Sequence, residues 1–230
     1  DLDNTKADIS ANFNQDIGKP GCLVGLPWSY VIGVPAPAGT ISFYDTVTHE
    51  IGHGLGFFTL VNKTTGALAG GLPDAYTRFL LDETPTPTLW TALNNAGRAA
   101  SAIDDGNLTW AGASVASVAS LLSAGRHASG RVRLYAPTVL VSGSSVSHWD
   151  ATLTPKEIMD PSLQTNNRNR LSNHLMLDLG WKGMVALAVT NTSHVQDNNA
   201  SDTRYRARFY VLDGLTGAGT FDVFEAYSDE

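Results

Sequence analysis

A single cysteine, Cys22, stands among 230 residues, so no disulfide can form within the chain. A lone cysteine most often packs as a small apolar residue. Two functional readings stand beside that one: a thiolate gate on a metal, and pairing with a segment outside this sequence. Long apolar runs are missing as well. No stretch approaches the roughly 20 residues that cross a bilayer, so no membrane span is expected. Positive charge is scarce. There are 15 Lys and Arg, only five of them lysines, against 22 acidic residues, which gives a net charge of −7 and a pI near 5.2. An acidic surface repels the phosphates of nucleic acids and the head groups of anionic lipids, so both are excluded as expected partners. The first residues, DLDNTKADIS, show no signal-peptide pattern, and a mature form from which a targeting segment has been removed fits the same start.

What the chain does have is small polar residues in number, a composition common in secreted bacterial proteins, and 43% hydrophobic residues, enough for an ordinary core. The length suits one large domain, or one domain with a small appendage.

The stretch HEIGHGLGFFT, residues 49–59, carries the strongest chemical signal. Ser42 is placed to cap a helix, with Asp45 three residues on in a capping-box pattern. The helix runs to His53, and Gly54 and Gly56 supply its stop. His49 and His53, four apart, lie on one helical face, where both imidazoles can meet one ion. Glu50 points slightly aside, able to touch a water on that ion without displacing it. Zinc held by neutral nitrogens lowers the pKa of such a water to about 7, and Glu50 is the expected general base.

Two histidines bind zinc weakly, and a catalytic site needs a third protein ligand. Thr59 offers only a neutral hydroxyl. A carboxylate class of third ligand names Asp74, Asp82 and Glu83. Among histidines, His127 lies in a Gly-bracketed loop, His174 on a helix (NRLSNHLMLDLG), His194 in a polar loop, and His148 within GSSVSHWDATLTPKEIMDPS.

The extended motif with Gly56 resembles the metzincins, whose third histidine usually follows the glycine by three residues before a later Met-turn. The order of segments is similar to the leishmanolysin-type branch, in which an insertion separates the Gly-Phe pair from that histidine. The matching pieces are Gly56-Phe57, then Ser147-His148-Trp149-Asp150, then Ile158-Met159-Asp160-Pro161, then a helix ending in LDLGW at residues 177–181. The likeness covers about residues 9–183. It implies that His49, His53 and His148 bind one zinc, that Glu50 is the general base, and that Met159 is an apolar floor rather than a ligand. It implies an insertion across residues 58–147, and a secreted, monomeric zinc endopeptidase acting on protein or peptide substrates. Two further classes stay open: a zinc hydrolase of non-peptide amides, and a non-catalytic binding module that keeps zinc as scaffold.

The expected fold class is α+β: a twisted sheet and the zinc helix above a cleft (residues 1–57), a mainly helical lower subdomain (58–184), and a β-rich appendage (185–230). ISANFN (9–14) and WSYVIG (28–33) read as upstream strands. In the insertion, PDAYTRFLL (73–81), TLWTALNNAGRAASAI (88–103) and SVASVASLLSAG (114–125) read as helices, while NLTWAG (107–112) and RVRLYAPTVLV (131–141) read as strands. VALAVTN (185–191), RYRARFYVL (204–212) and TFDVFEAY (220–227) alternate like strands, and SHVQDNNASD (193–202) reads as an exposed loop. DDGN, residues 104–107, is a plain tight turn with a weaker reading as a calcium loop. Few residues precede the zinc helix, so a processed form lacking a propeptide and early strands is expected.

Overall fold

The structure, a computed structural model, describes residue 7, residues 9–32, 34–162 and 170–181, and the backbone of two strands at 204–213 and 217–227. The chain divides into two compact units, residues 12–179 and residues 1–11 with 180–230. Among the described residues its class is mixed α and β, with small sheets and four α-helices, compatible with α+β.

The described chain begins irregularly. ISANFN forms no strand, and the described residues of WSYVIG contribute β1 (Trp28–Ser29), which pairs in parallel with β2 (Ile41–Ser42). The upstream sheet expected from the apolar pattern is thus reduced to two residues per strand, because Pro and Gly interrupt the chain on both sides.

β2 runs directly into α1 (Phe43–Gly54). Extended Ser42 accepts the amide of Asp45 at 3.1 Å, satisfying one of the orphan donors of the first turn. Thr46 and Thr48 donate their hydroxyls to Ser42 O and Tyr44 O, both at 2.8 Å, so neither is left open on the helix surface. Phe43 anchors the start of α1 against Phe13, Trp28 and Tyr30, with ring centroids 5.2, 5.3 and 5.2 Å away. The helix ends at Gly54, and Gly56, with φ of 111°, makes the turn beyond it in a conformation that only glycine adopts without strain. Phe57 N then bonds back to Gly52 O at 3.0 Å.

A three-stranded antiparallel sheet follows, ordered β4 (Thr88–Leu89), β3 (Leu80–Asp82), β5 (Leu108–Trp110). The helix expected over residues 73–81 is one 3-10 turn at Thr77–Phe79 leading into β3. Asp74 explains this. Its carboxylate takes the amides of Thr77 and Leu60 at 2.7 and 2.8 Å, a turn closure that ends the helical path at once. The helix expected over 88–103 narrows to α2 (Asn95–Ser101), because Asn94 caps it by accepting from Gly97 N at 2.8 Å. The expected helix at 114–125 is α3 (Ala113–Val118) with a further 3-10 turn. The 107–112 strand is present as β5. Over 131–141 there is no continuous strand. Val132, Leu134 and Ala136 are buried in alternation, yet residues 132, 133 and 134 bridge separately to Arg126, Thr109 and Trp149. The last helix of this unit, α4 (Arg170–Asp178), has Leu171, Leu175 and Met176 on its buried face.

Trp90, Trp110, Trp149, Tyr76 and Phe57 are all fully buried. Phe57 meets Trp149 edge-on at 5.1 Å and Tyr76 at 5.5 Å, and Tyr76 meets Trp110 at 4.8 Å. Each buried ring contributes on the order of 2–3 kcal/mol. The chain of rings links the residue that ends the motif turn, Phe57, to Trp149, the neighbour of His148.

Of the second unit, β6 (Arg204–Asp213) and β7 (Gly217–Tyr227) form an antiparallel ladder with a register shift at Ala207/Arg208. The expected strand at 185–191 and the loop at 193–202, with His194, lie outside the described residues. Among the described residues no helix is long and apolar enough to cross a membrane.

Candidate metal centre

Three histidines meet across 99 residues of sequence. His49 and His53 come from consecutive turns of α1, and His148 from the irregular segment before the Met159 turn. One ring nitrogen from each can be chosen so that all three lie within 4.8 Å of one another. The ring centroids are 4.8–5.0 Å apart. His49 and His148 are buried, and His53 is half-buried.

The rings are aimed by the backbone. His49 Nδ1 lies 2.7 Å from Ile158 O, His53 Nδ1 lies 2.8 Å from Phe57 O, and His148 Nδ1 lies 2.8 Å from Ser144 O. A carbonyl only accepts, so each Nδ1 carries the hydrogen and each Nε2 of a neutral ring carries a lone pair. His49 Nε2 and His148 Nε2 nevertheless face each other at 3.1 Å. Two lone pairs at that distance repel unless something positive lies between them, either an extra proton or a metal cation.

Burial disfavours the proton. His148 is pushed down to about 3, first by desolvation and then by His53, His49 and the Lys63 charge, with the Ser144 carbonyl opposing. His53 is lowered too, chiefly by burial, while the Phe57 carbonyl and the Glu50 charge act against that. The donor set therefore suits a metal. Two ligands about 2.0–2.1 Å from one tetrahedral ion sit roughly 3.3 Å apart, close to the observed separation. The orienting carbonyls are of the kind that fix metal-ligating histidines.

The Met159 segment holds both halves of the site. Ile158 O orients His49, and Met159 O accepts the amide of Trp149 at 2.9 Å. Met159 is fully buried, and a Cβ built on Gly52 would stand 2.6 Å from its sulfur. Glu50 is exposed on α1, and its charge acts on His53.

The other candidates among the described residues are engaged elsewhere. Thr59 lies in a buried network with Thr77 Oγ1 at 2.8 Å and Asp74 Oδ2 at 3.2 Å. Asp82 accepts from Thr84 N at 2.8 Å. Glu83 accepts from Ser129, Thr109 and Arg131 at 2.7, 3.1 and 3.2 Å. His127 bonds Ser129 Oγ at 3.0 Å, and His174 bonds Ser114 Oγ at 2.8 Å. Cys22 Sγ accepts from Asn14 at 3.3 Å. In the 104–107 turn, Asn107 and Thr84 lie 2.8 and 2.5 Å from the two carboxylate oxygens of Asp104. Among the described residues, the three histidines are the one group of three or more His, Cys, Asp or Glu side chains at ligating separation.

Sequence reasoning missed the three orienting carbonyls, which leave no trace in residue identity. It also missed Lys63, whose amine donates to Ser145 O at 2.7 Å. No protein-family model, no curated protein and no solved structure matches the chain.

Proposed function

We propose that the chain is a secreted, monomeric zinc endopeptidase of the metzincin type, akin in plan to the leishmanolysin branch. The observation that carries this reading is the convergence of three Nδ1-anchored histidines at the motif that also presents Glu50. His49, His53 and His148 would hold the ion, leaving one position open. When bound, zinc supplies Lewis acidity: it lowers the pKa of a coordinated water and polarises a carbonyl.

The chain's own residues do the rest. Glu50, exposed beside His49, takes the proton of the attacking water and passes it to the departing amine, so the carboxylate ends the cycle unchanged. The buried faces of His49 and His148 keep competing water from the ligand side. Met159, packed on Gly52, holds α1 against the His148 segment. In this reading the short β1–β2 pair with α1 would form the upper wall of a substrate cleft and residues 58–179 the lower, with an extended peptide between them.

The test is hydrolysis of an unfolded protein by zinc-loaded wild type and Glu50→Gln. The reading expects Glu50→Gln to retain zinc and lose about 10²–10⁴-fold in kcat. Equal activity in the two proteins, or no proteolysis by a zinc-loaded wild type that hydrolyses small amides, overturns it.

A further inference from the structure

The turn that delivers His148 is held from outside at three successive residues. Lys63 Nζ donates to Ser145 O at 2.7 Å, Tyr76 Oη donates to Val146 O at 2.8 Å, and Thr59 N reaches Ser147 Oγ at 3.4 Å. All three partners come from residues 59–76, the start of the segment that separates His53 from His148. From the other side, Val146 N bonds Tyr135 O at 2.7 Å, and Tyr135 N bonds His148 O at 2.9 Å.

The turn needs holding. Val146 is fully buried with φ of 71°, a left-handed conformation that a β-branched residue adopts only under constraint. Released, it would relax toward extended backbone and carry Ser144 O, the carbonyl that aims His148, out of line. Tyr76 is 1% exposed, so its hydroxyl has few alternatives to Val146 O. Lys63 is half-buried, and desolvation lowers its amine from the ordinary value. A half-buried ammonium is costly to keep beside a cation site unless its position does something.

We propose that Lys63 and Tyr76 are positioning residues for the third histidine, clamping the Ser144–Ser147 turn so that His148 Nε2 faces His49. This rests on the metal reading above. The displaced ligand is then not simply tolerated by the long insertion. The insertion supplies the clamp that makes a distant histidine usable.

The experiment is zinc affinity by competition with a chelator, with the visible spectrum of the cobalt-substituted protein as a second readout. The set is wild type, Lys63→Met, Tyr76→Phe, the double variant, His148→Ala, and Ser101→Ala. The last removes a buried bond to Trp90 Nε1 that does not involve this turn. Lys63→Met and Tyr76→Phe are each expected to bind zinc 10–100-fold more weakly, with altered cobalt spectra, and Ser101→Ala to bind as wild type. Lys63→Met is the sharper case. Deleting a positive charge near a cation strengthens binding by itself, so weakening reports lost position. If Tyr76→Phe does not fold, Lys63→Met carries the test.

Wild-type affinity in Lys63→Met, or equal weakening in Ser101→Ala, overturns the clamp while loss of zinc in His148→Ala leaves the ligand assignment standing. A wild type without zinc overturns both.

Discussion

Gly52 lies between the two helical histidines, and replacing it with alanine sets two effects against each other. On an exposed helix, Gly→Ala stabilises by about 0.5–1 kcal/mol, because alanine has less backbone freedom to lose. Here the new Cβ would stand 2.6 Å from Met159 Sδ and 3.3 Å from its Cε, closer than carbon and sulfur pack. Met159 is fully buried, so its thioether has little room to retreat. Overpacking of this kind costs about 1–3 kcal/mol. The net expectation for Gly52→Ala is a loss of about 1–2 kcal/mol, seen as a Tm lower by roughly 3–8 °C. Met159→Ala alone costs about 2–5 kcal/mol through the cavity it leaves. In the double variant the alanine at 52 fills part of that cavity, so the two losses fall short of additivity by about 1 kcal/mol or more. Urea unfolding of the four proteins, metal-free, measures the cycle. A Gly52→Ala protein more stable than wild type, with an additive double variant, would refute the packing of Met159 on the motif helix.

Glu157 gives a pH signature. Its buried carboxyl, which caps α4 through Leu171 N and Ser172 N at 2.9 and 3.2 Å, is pushed up to about 7, mainly by desolvation. The folded state holds a proton that the unfolded state releases, so this stabilisation is complete below about pH 4.5 and is lost by about pH 7. The stability of metal-free wild type relative to Glu157→Gln is expected to fall by about 3 kcal/mol across that window, and a constant difference in urea midpoints would contradict the assignment. Asp74→Asn, Asp82→Asn and Glu83→Gln are each expected to lose about 1–3 kcal/mol of stability from orphaned buried donors while keeping a full complement of zinc. Elemental analysis showing zinc lost from any one of them would return the third ligand to a carboxylate.

The sequence made α1 readable because its signals are local. Ser42, the four-residue histidine spacing and Gly56 act within a few residues of one another. His148 was readable only through its flanks: Trp149 packs on Phe57, just past the motif helix, and Met159 on Gly52 within it. Two of the failures, over residues 73–81 and 131–141, share one cause. Both segments mix apolar residues with polar ones and proline, and such short stretches do not by themselves choose between helix, strand and irregular chain. Their state is set by distant partners: the Asp74 carboxylate for the first, and separate bridges to Arg126, Thr109 and Trp149 for the second. The orienting carbonyls of Ile158, Phe57 and Ser144 belong to the backbone, so no residue type announces them. Val146 was silent for a related reason, since the partners that bond its backbone, Tyr76 and Tyr135, are distant in sequence.

The central claim is that one metal ion joins His49, His53 and His148. Zinc per chain, measured by elemental analysis on wild type and His148→Ala purified without added metal, tests it most directly. The account predicts about one zinc in the wild type and little in the variant, with both chains folded by near-UV circular dichroism. A folded His148→Ala protein that keeps its zinc would contradict it.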